Sequence, residues 1–316
     1  MRQTLAALPL LFLAGTTAAA NAPIVVTDIP PVHALVATVM DTVGSPVLLL
    51  DQGADAHDFQ LRPSQASALA DADLIFWIGP ELTPWLERAR AVADEAASVP
   101  LLHLPATYRR AYGDDGHDHD AHEASGADHA ADAEPAGHDH ADGDIDPHAW
   151  LDPANAALWL GRIADELSAR DPGNAVTYRA NASLAQTRLL ALETDLQEKL
   201  TPARSAPIVV AHDSLGYFAD HFGLTVAGAV AEGDAADPGA AHLSAMRALL
   251  QSGDVVCIFP EAQTNPQRIT ALAEGTPARI GAALDPEARA LTPGPALYPV
   301  LLTELADAIA DCIAGR

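Results

Sequence analysis

The sequence IVVTDIPPVHALVATVMDTVGSPVLLLD, residues 24–51, decides the fold of this chain. Two apolar runs, IVVTD (24–28) and VLLLD (47–51), enclose a predicted helix near Val32 to Val43. Each run is continuously apolar rather than alternating, as expected for a strand of a parallel sheet that is covered on both faces. The stretch therefore predicts a strand, helix and strand of an α/β protein.

The same order of elements repeats along the chain. The further predicted strands are LIFWIG (74–79), VPLLHL (99–104), PIVVAH (207–212), LTVAGAV (224–230), VVCIFP (255–260) and ARIGAALD (278–285). Strands that alternate with helices predict an open, doubly wound, mostly parallel sheet in each half of the chain.

One long helix is predicted between the two halves. It begins with Asn174 as N-cap and continues to Leu200 without Pro or Gly, with leucines 189, 192, 196 and 200 on one face. At 1.5 Å per residue it would be roughly 40 Å long. It is either a stiff rod that connects two domains or a long amphipathic helix within one domain.

The chain opens with MRQTLAALPLLFLAGTTAAANAP, which has the features of a secretory signal peptide. Its apolar run is shorter than the ~20 residues that cross a membrane, so we expect an exported, soluble mature protein. The predicted division is a signal peptide (1–22), an N-terminal α/β domain (23–170), a connecting helix (171–205) and a C-terminal α/β domain (206–316).

A tract rich in histidine and aspartate interrupts the first half: GDDGHDHDAHEASGADHAADAEPAGHDHADGD, residues 113–144. It contains six of the thirteen histidines and eleven acidic residues, and it has no Lys or Arg. Such a segment cannot form a core, so we predict a disordered loop. Imidazoles beside carboxylates suit metal collection, although a solvated acidic linker is the alternative. The candidate auxiliary ligands are His117, His119, His122, His129, His138 and His140.

Charge and cysteine content narrow the possible functions. The formal net charge of -26 argues against a nucleic-acid partner and favours attraction of cations. Only Cys257 and Cys312 are present, and an even count in an exported protein favours one disulfide. Two buried thiols are the alternative.

Three histidines fall in loops at comparable positions of the strand and helix pattern. His57 follows VLLLD, His148 lies in DPHAWLDP (146–153), and His212 ends PIVVAH. Because ligands of open α/β sheets bind beyond the carboxyl ends of the strands, a cleft between the halves could bring these imidazoles together.

Three neutral imidazoles favour one anionic fourth ligand. Asp285 ends the last predicted strand and Glu261 follows VVCIFP, and either would complete the tetrahedral N3O site that Zn²⁺ prefers. We expect Asp285, with Glu261 as the alternative. The neighbouring carboxylates are candidates for orienting an imidazole, or for capping a helix: Asp58, Asp152 and Asp213.

No residue is predicted to be catalytic. The chain has no HExxH, GxSxG or Walker-type glycine loop. A zinc hydrolase is an alternative function, but it needs an open coordination position, and Asp285 would close the metal's ligand shell.

The segments AHDFQLRPSQASALADADLIFWIGPELTPWLE (56–87), DPHAWLDP (146–153) and VVAHDSLGYFADHFGL (209–224) together resemble a known family. The chain is similar to the ZnuA-like periplasmic zinc-binding proteins of ABC importers, within a group of metal receptors that includes manganese receptors. The resemblance covers nearly all of the mature chain. It implies two domains joined by a rigid helix, with the metal in the cleft between them.

Position by position, the resemblance implies metal ligation by His57, His148, His212 and Asp285. Manganese receptors of the group carry a carboxylate where His212 stands, so the imidazole favours zinc. Ala56 stands where some zinc receptors have a glutamate, which leaves Asp285, or water, as the fourth ligand. The family's C-terminal disulfide corresponds to Cys257 with Cys312.

The resemblance implies a monomeric periplasmic receptor that delivers Zn²⁺ to an ABC permease and its ATPase, with a periplasmic zinc chaperone as an optional partner. Residues 113–144 would collect zinc with low affinity or sense its abundance. The alternatives are a receptor for manganese or another divalent metal, a zinc hydrolase, and a metal buffer that serves no transporter.

Overall fold

The structure, a computed structural model, describes residues 22–57, 59–90, 96–112, 145–231 and 238–316. The predicted signal peptide, apart from its last residue, and the histidine-rich tract lie outside these ranges. Among the described residues, no helix combines the length and the apolar character that crossing a membrane requires.

Eight strands form two parallel sheets of four strands each in the described part of the chain, the number that the apolar runs predicted. The strand predicted at 99–104 instead covers 97–100, and residues 101–103 form a 3-10 turn. The first sheet has the order β2-β1-β3-β4, and the second has the equivalent order β6-β5-β7-β8. The strands are β1 (Val25–Thr27), β2 (Val47–Leu48), β3 (Leu74–Trp77), β4 (Ala97–Pro100), β5 (Ile208–His212), β6 (Val226–Ala231), β7 (Cys257–Phe259) and β8 (Arg279–Ile280). In each sheet the winding direction reverses beside the first strand, which creates a crevice at the carboxyl ends of the strands.

Nine α-helices connect and cover the sheets within the described ranges. They are α1 (Pro30–Val39), α2 (Pro63–Ala70), α3 (Pro84–Ala89), α4 (Pro153–Arg170), α5 (Ala175–Leu200), α6 (Gly216–Phe222), α7 (Ala240–Ser252), α8 (Gln267–Ala273) and α9 (Leu297–Ala314). Pro occupies the first turn of α1 to α4, where its missing N–H leaves no hydrogen bond unmade.

Successive strand residues are buried on opposite faces of their sheets. Val25 joins the large core, whereas the next residue, Val26, joins a smaller cluster on the outer face that includes Trp85 of α3. The second sheet repeats this arrangement, with Ile208 in the large core and Val209 in an outer cluster. Burial on both faces explains why the strands are continuously apolar in sequence.

The long predicted helix is α5, which spans 26 residues. We call the first sheet with α1 to α4 the first lobe, and the second sheet with α6 to α9 the second lobe. The α5 residues Tyr178, Leu189, Leu196 and Leu200 are buried, and the helix contacts α1 of the first lobe and α9 of the second. Asn174 is the N-cap residue, as predicted, but its side chain donates to Asp171 Oδ2 at 2.6 Å instead of capping the helix. Because the large core extends through these helices into both lobes, α5 joins the lobes as a packed element.

The last predicted strand, residues 278–285, is shorter than expected. β8 ends at Ile280, and an isolated parallel bridge pairs Leu284 with Glu261 further along. A Cβ at Gly281 would lie 2.2 Å from Cε1 of Phe259, so the absence of a side chain there lets the Phe259 ring pack against the strand. The predicted disulfide between Cys257 and Cys312 is confirmed, and it links β7 to α9.

His221 fastens α6 of the second lobe to the helices beside it. Its Nδ1 lies 2.8 Å from Asp152 Oδ1 at the start of α4, and its Nε2 lies 3.0 Å from Glu193 Oε1 of α5. Burial by itself would lower the pKa of His221, but the two carboxylates outweigh burial and raise it above the usual value for an imidazole. The protonated ring is therefore stabilised in the folded protein.

This arrangement predicts a pH-dependent contribution to stability. Because the folded pKa is raised, the contribution of His221 is fully present below the unfolded pKa of about 6.5 and is lost as pH rises through the folded pKa. We expect His221→Gln to lower the free energy of unfolding by about 1–2 kcal/mol more at pH 6 than at pH 9. Urea denaturation at both pH values measures this difference.

Glu193→Gln provides the comparison, because it removes one of the two carboxylates and should reduce the same pH dependence. An equal loss of stability at both pH values in His221→Gln would contradict the prediction.

Candidate metal site

His57 lies in the loop that follows β2 and is half-buried. Its backbone N–H donates to Asp55 Oδ1 at 2.9 Å, and Trp85 Nε1 of α3 donates to the carbonyl of the preceding residue, Ala56, at 2.8 Å. The Phe59 ring packs on Trp85 with 5.2 Å between centroids. The loop is thus held at the carboxyl edge of the first sheet from both sides of His57.

His148 is fully buried before the short 3-10 turn Ala149–Leu151. Asp146 Oδ1 accepts the His148 backbone N–H at 2.9 Å and lies 2.7 Å from His148 Nδ1. The Trp150 ring lies 5.1 Å from the His148 ring, and its Nε1 donates to Pro286 O at 2.8 Å. With Nδ1 facing a carboxylate, the ring presents Nε2 as its electron-pair donor.

His212 is the last residue of β5, where the winding of the second sheet reverses. Its Nδ1 lies 3.3 Å from Oε2 of Glu261, which follows the neighbouring strand β7 and is only 9% exposed. Glu261 therefore faces His212 as an orienting carboxylate.

The three imidazoles converge, although two come from loops of the first lobe and one from a strand end of the second. Their ring centroids are 5.1 Å apart for His148 and His212, 6.2 Å for His57 and His148, and 6.4 Å for His57 and His212. Two imidazoles bound to a tetrahedral zinc at about 2.1 Å have centroids roughly 5 Å apart. The pair His148 and His212 already has that spacing, and an inward movement of His57 by about 1 Å would bring the third ring to it.

A carboxylate that the sequence did not single out, Glu287, lies beside two of the three imidazoles, those of His57 and His148. One ligand atom each of His57, His148 and Glu287 lies within 4.8 Å of the other two. Glu287 is 1% exposed, and the guanidinium of Arg289 holds both of its oxygens, with Nε 2.9 Å from Oε2 and Nη2 2.6 Å from Oε1.

Arg289 supplies the positive charge that Glu287 faces. Burial would lower the pKa of Arg289, but Glu287, Asp55 and Glu261 outweigh burial and raise it. Arg289 Nη2 also lies 3.3 Å from Asp55 Oδ2, in the loop that carries His57. A cation that binds to Glu287 would therefore have to compete with Arg289 for its oxygens.

Asp285, the expected fourth ligand, has other partners in the structure. Its Oδ1 accepts the Arg289 backbone N–H at 2.9 Å, and its Oδ2 accepts that of Ala290 at 2.8 Å. Ala288, between these residues, has a φ of 57° in the left-handed region, which closes a tight turn. Among the described residues, the ligand cluster with His57 and His148 contains Glu287 and does not contain Asp285.

The three carboxylates that were predicted to orient an imidazole or to cap a helix have different surroundings. Asp152 caps α4 by accepting the Ala154 N–H at 2.8 Å and pairs with His221, so helix capping describes it better than orienting a site imidazole. Burial, together with the negative charge of Asp146, raises the pKa of Asp213. Asp58 and the six histidines of the tract lie outside the described residues.

Sequence reasoning missed Asp146 and Glu287. The sequence did carry a signal for Asp146, which stands two residues before His148. An aspartate can accept a hydrogen bond from the backbone N–H two residues further on. Glu287 gave no such signal, since it lies in a turn beside Ala288, whose positive φ no local sequence pattern predicts.

Known proteins match this chain over almost its whole length. A family model described as zinc-uptake complex component A, periplasmic (ZnuA), matches residues 25–312. The high-affinity zinc uptake system protein ZnuA of Paracoccus denitrificans is 48% identical over 308 residues, which cover 95% of this chain and 94% of that protein. The protein of the same name from Brucella abortus is 34% identical over 315 residues, which cover 95% and 94% of the two chains.

Solved structures share the fold. A zinc-bound deletion mutant of ZnuA has a TM-score of 0.73 at 22% identity and covers 92% of this chain and 98% of its own. The periplasmic zinc-binding protein TroA of Treponema pallidum has a TM-score of 0.73 at 20% identity and covers 92% and 99%. These structures confirm the predicted fold class of two α/β domains with parallel sheets.

The sequence relatives are named as uptake proteins and not as enzymes, in agreement with a chain in which no catalytic residue was predicted. Since the family model spans most of the chain and a relative with 48% identity covers nearly all of it, this protein belongs to the ZnuA family of periplasmic zinc-uptake components.

Proposed function

We propose that this protein captures Zn²⁺ in the periplasm and delivers it to a membrane permease driven by a cytoplasmic ATPase. Zinc is the cargo, bound by His57, His148 and His212 together with one carboxylate. The observation that carries the proposal is the convergence of three imidazoles from two loops and the end of β5, with centroids no more than 6.4 Å apart.

The chemistry of the donors favours zinc over a harder cation. Imidazole nitrogens with one carboxylate form the N3O set that tetrahedral Zn²⁺ accepts, whereas manganese prefers more oxygen ligands. Asp146 and Glu261 face the Nδ1 atoms of two of the rings, which leaves their Nε2 atoms to bind the cargo. The relatives from Paracoccus denitrificans and Brucella abortus are named for zinc uptake, which supports the same cargo and a role in transport.

Glu287 is the fourth ligand that the geometry supports best. It belongs to the cluster with His57 and His148, whereas both oxygens of Asp285 accept backbone N–H groups. Zinc binding would then transfer Glu287 from Arg289 to the metal, and Arg289 would keep Asp55 as a partner 3.3 Å away.

Loss of one imidazole should sharply weaken binding. We expect His148→Ala to raise the zinc dissociation constant by about 100-fold or more, since changing even an outer partner of a metal ligand costs 10–100-fold. Competition titration with a chromogenic zinc chelator measures the constant, and parallel titration with Mn²⁺ tests the preference for zinc.

His103→Ala is the matched control, because this imidazole follows β4, at the opposite edge of the first sheet from the β2 loop that carries His57, and its Nε2 lies 2.8 Å from Glu81 Oε1. Zinc binding of unchanged strength in His148→Ala would refute the site, and tight, zinc-like binding of Mn²⁺ by the unaltered protein would refute the preference.

The two candidate carboxylates can be separated by isosteric substitution. We expect Glu287→Gln to weaken zinc binding by at least about 10-fold, because it removes the anionic ligand. Asp285→Asn should lower Tm, because an amide cannot accept both backbone N–H groups, but should change zinc affinity much less. The opposite order of effects on affinity would restore Asp285 as the ligand.

The histidine-rich tract, residues 113–144, is proposed to be an auxiliary collector of low affinity. Ala111 and Ile145 form an antiparallel bridge, so a short glycine linker between residues 112 and 145 can replace the tract. We expect this deletion to remove weak zinc sites and to leave one tight site in calorimetric titration. A variant that keeps the tract's length but has Asn at its six histidines should behave in the same way, and loss of the tight site in either variant would contradict the proposal.

A further inference from the structure

Two described segments that flank residues 113–144 are held together, and we call residues 108–112 and 145–148 the stem. Ala111 pairs with Ile145 in an antiparallel bridge. The backbone N–H of Asp146 donates to Arg110 O at 3.0 Å. The stem belongs to the first half of the chain and ends at His148.

A tyrosine of the second lobe joins the two sides of the stem. The Arg110 backbone N–H donates to Tyr217 Oη at 2.9 Å, and the Tyr217 hydroxyl donates to Asp146 O at 2.8 Å. Tyr217 lies in α6 and is fully buried. A single hydroxyl that accepts from one side and donates to the other fixes the separation of the two segments.

The guanidinium of Arg110 binds the same helix. Its Nη1 donates to Gly216 O at 2.8 Å and lies 2.5 Å from Asp220 Oδ2, which also accepts the Tyr108 hydroxyl at 3.0 Å. A Cβ at Gly216 would lie 2.8 Å from Arg110 Cζ, so the absence of a side chain there permits the close approach. The Arg110 side chain is buried and loses its hydration, so it needs such geometry and additional hydrogen bonds, and the more exposed Asp220 and the Gly216 carbonyl supply them.

The stem leads directly to the metal site. Asp146, whose backbone is held by Arg110 and Tyr217, accepts hydrogen bonds with its side chain from the backbone N–H and Nδ1 of His148. On the other side, α6 begins four residues after His212. The contacts between the stem and α6 therefore connect Asp146, which orients the His148 ring, with the helix that follows His212.

We propose that Tyr217 and Arg110 are positioning residues of the metal site. They do not touch the metal; they hold Asp146, and through it the His148 ring, beside the end of β5 that carries His212. This inference rests on the proposed function, since its readout is zinc binding. Part of the zinc affinity would then come from the contact between the stem and α6, whose residues do not bind the metal.

Tyr217→Phe in the mature full-length protein tests the inference, because it removes one oxygen and keeps the ring. We expect the zinc dissociation constant to rise by roughly 10-fold, the lower end of the range for partners that orient a metal ligand. The visible absorption of the Co²⁺-loaded protein should also change, because that spectrum reports the geometry of the ligands around the metal. A role in stability alone would leave the spectrum unchanged.

Tyr178→Phe is the matched control, because Tyr178 is also fully buried and its hydroxyl donates to a carboxylate, Asp171 Oδ2, at 2.9 Å. It should lower Tm without changing the zinc constant or the Co²⁺ spectrum. Asp220→Asn is a milder second variant, because that side chain is 32% exposed, and it should weaken zinc binding by about 3-fold, less than the loss of a direct orienting partner.

The outcomes separate this inference from the proposed function. If the unaltered protein binds zinc while Tyr217→Phe and Asp220→Asn keep its affinity and its Co²⁺ spectrum, the positioning role is overturned and the proposed function stands. If the unaltered protein does not bind zinc, the proposed function is overturned, and this inference with it.

Discussion

The metal site depends on one hydrophobic core that both lobes share. Each sheet supplies only part of the ligand set, so the carboxyl edges of the two sheets must face each other at a fixed distance. The core achieves this because it continues from the first sheet through α1, α4, α5 and α9 to the second. Close packing of such an interior resists small displacements, which would otherwise move the imidazoles out of ligand distance.

Within that frame, carboxylates arrange the site before a metal arrives. Asp146 and Glu261 face the Nδ1 atoms of His148 and His212, while Arg289 holds Glu287. Arg110 and Arg289 provide positive charge among buried acids, which limits the cost of bringing so many carboxylates together. A divalent cation that binds Glu287, as proposed, would replace Arg289 as its charge partner instead of neutralising an isolated anion, so the free energy of binding would depend on the imidazoles as well.

The contacts between the lobes combine the shared apolar core with directed polar contacts, some of them next to the site. Tyr217, Arg110 and Asp220 meet next to His148, and His221 meets Asp152 and Glu193 beside α4 and α5. Hydrogen bonds have directional requirements that apolar contacts lack, so they fix orientation where the core fixes distance. The two kinds of contact together explain how loops so distant in sequence can present their rings to one point.

The sequence by itself determined the two parallel sheets, the long helix α5 and the convergence of His57, His148 and His212. Continuous apolar runs identify buried parallel strands, and ligands of such sheets gather at the carboxyl ends of those strands. Only the tertiary structure decided that Glu287 lies beside His57 and His148 while Asp285 closes a turn, because the sequence does not reveal which way two carboxylates of one short loop point. It likewise decided the partners of Asp146, Asp152 and Tyr217, since each contacts a residue distant in sequence or depends on a rotamer, and no local pattern encodes either.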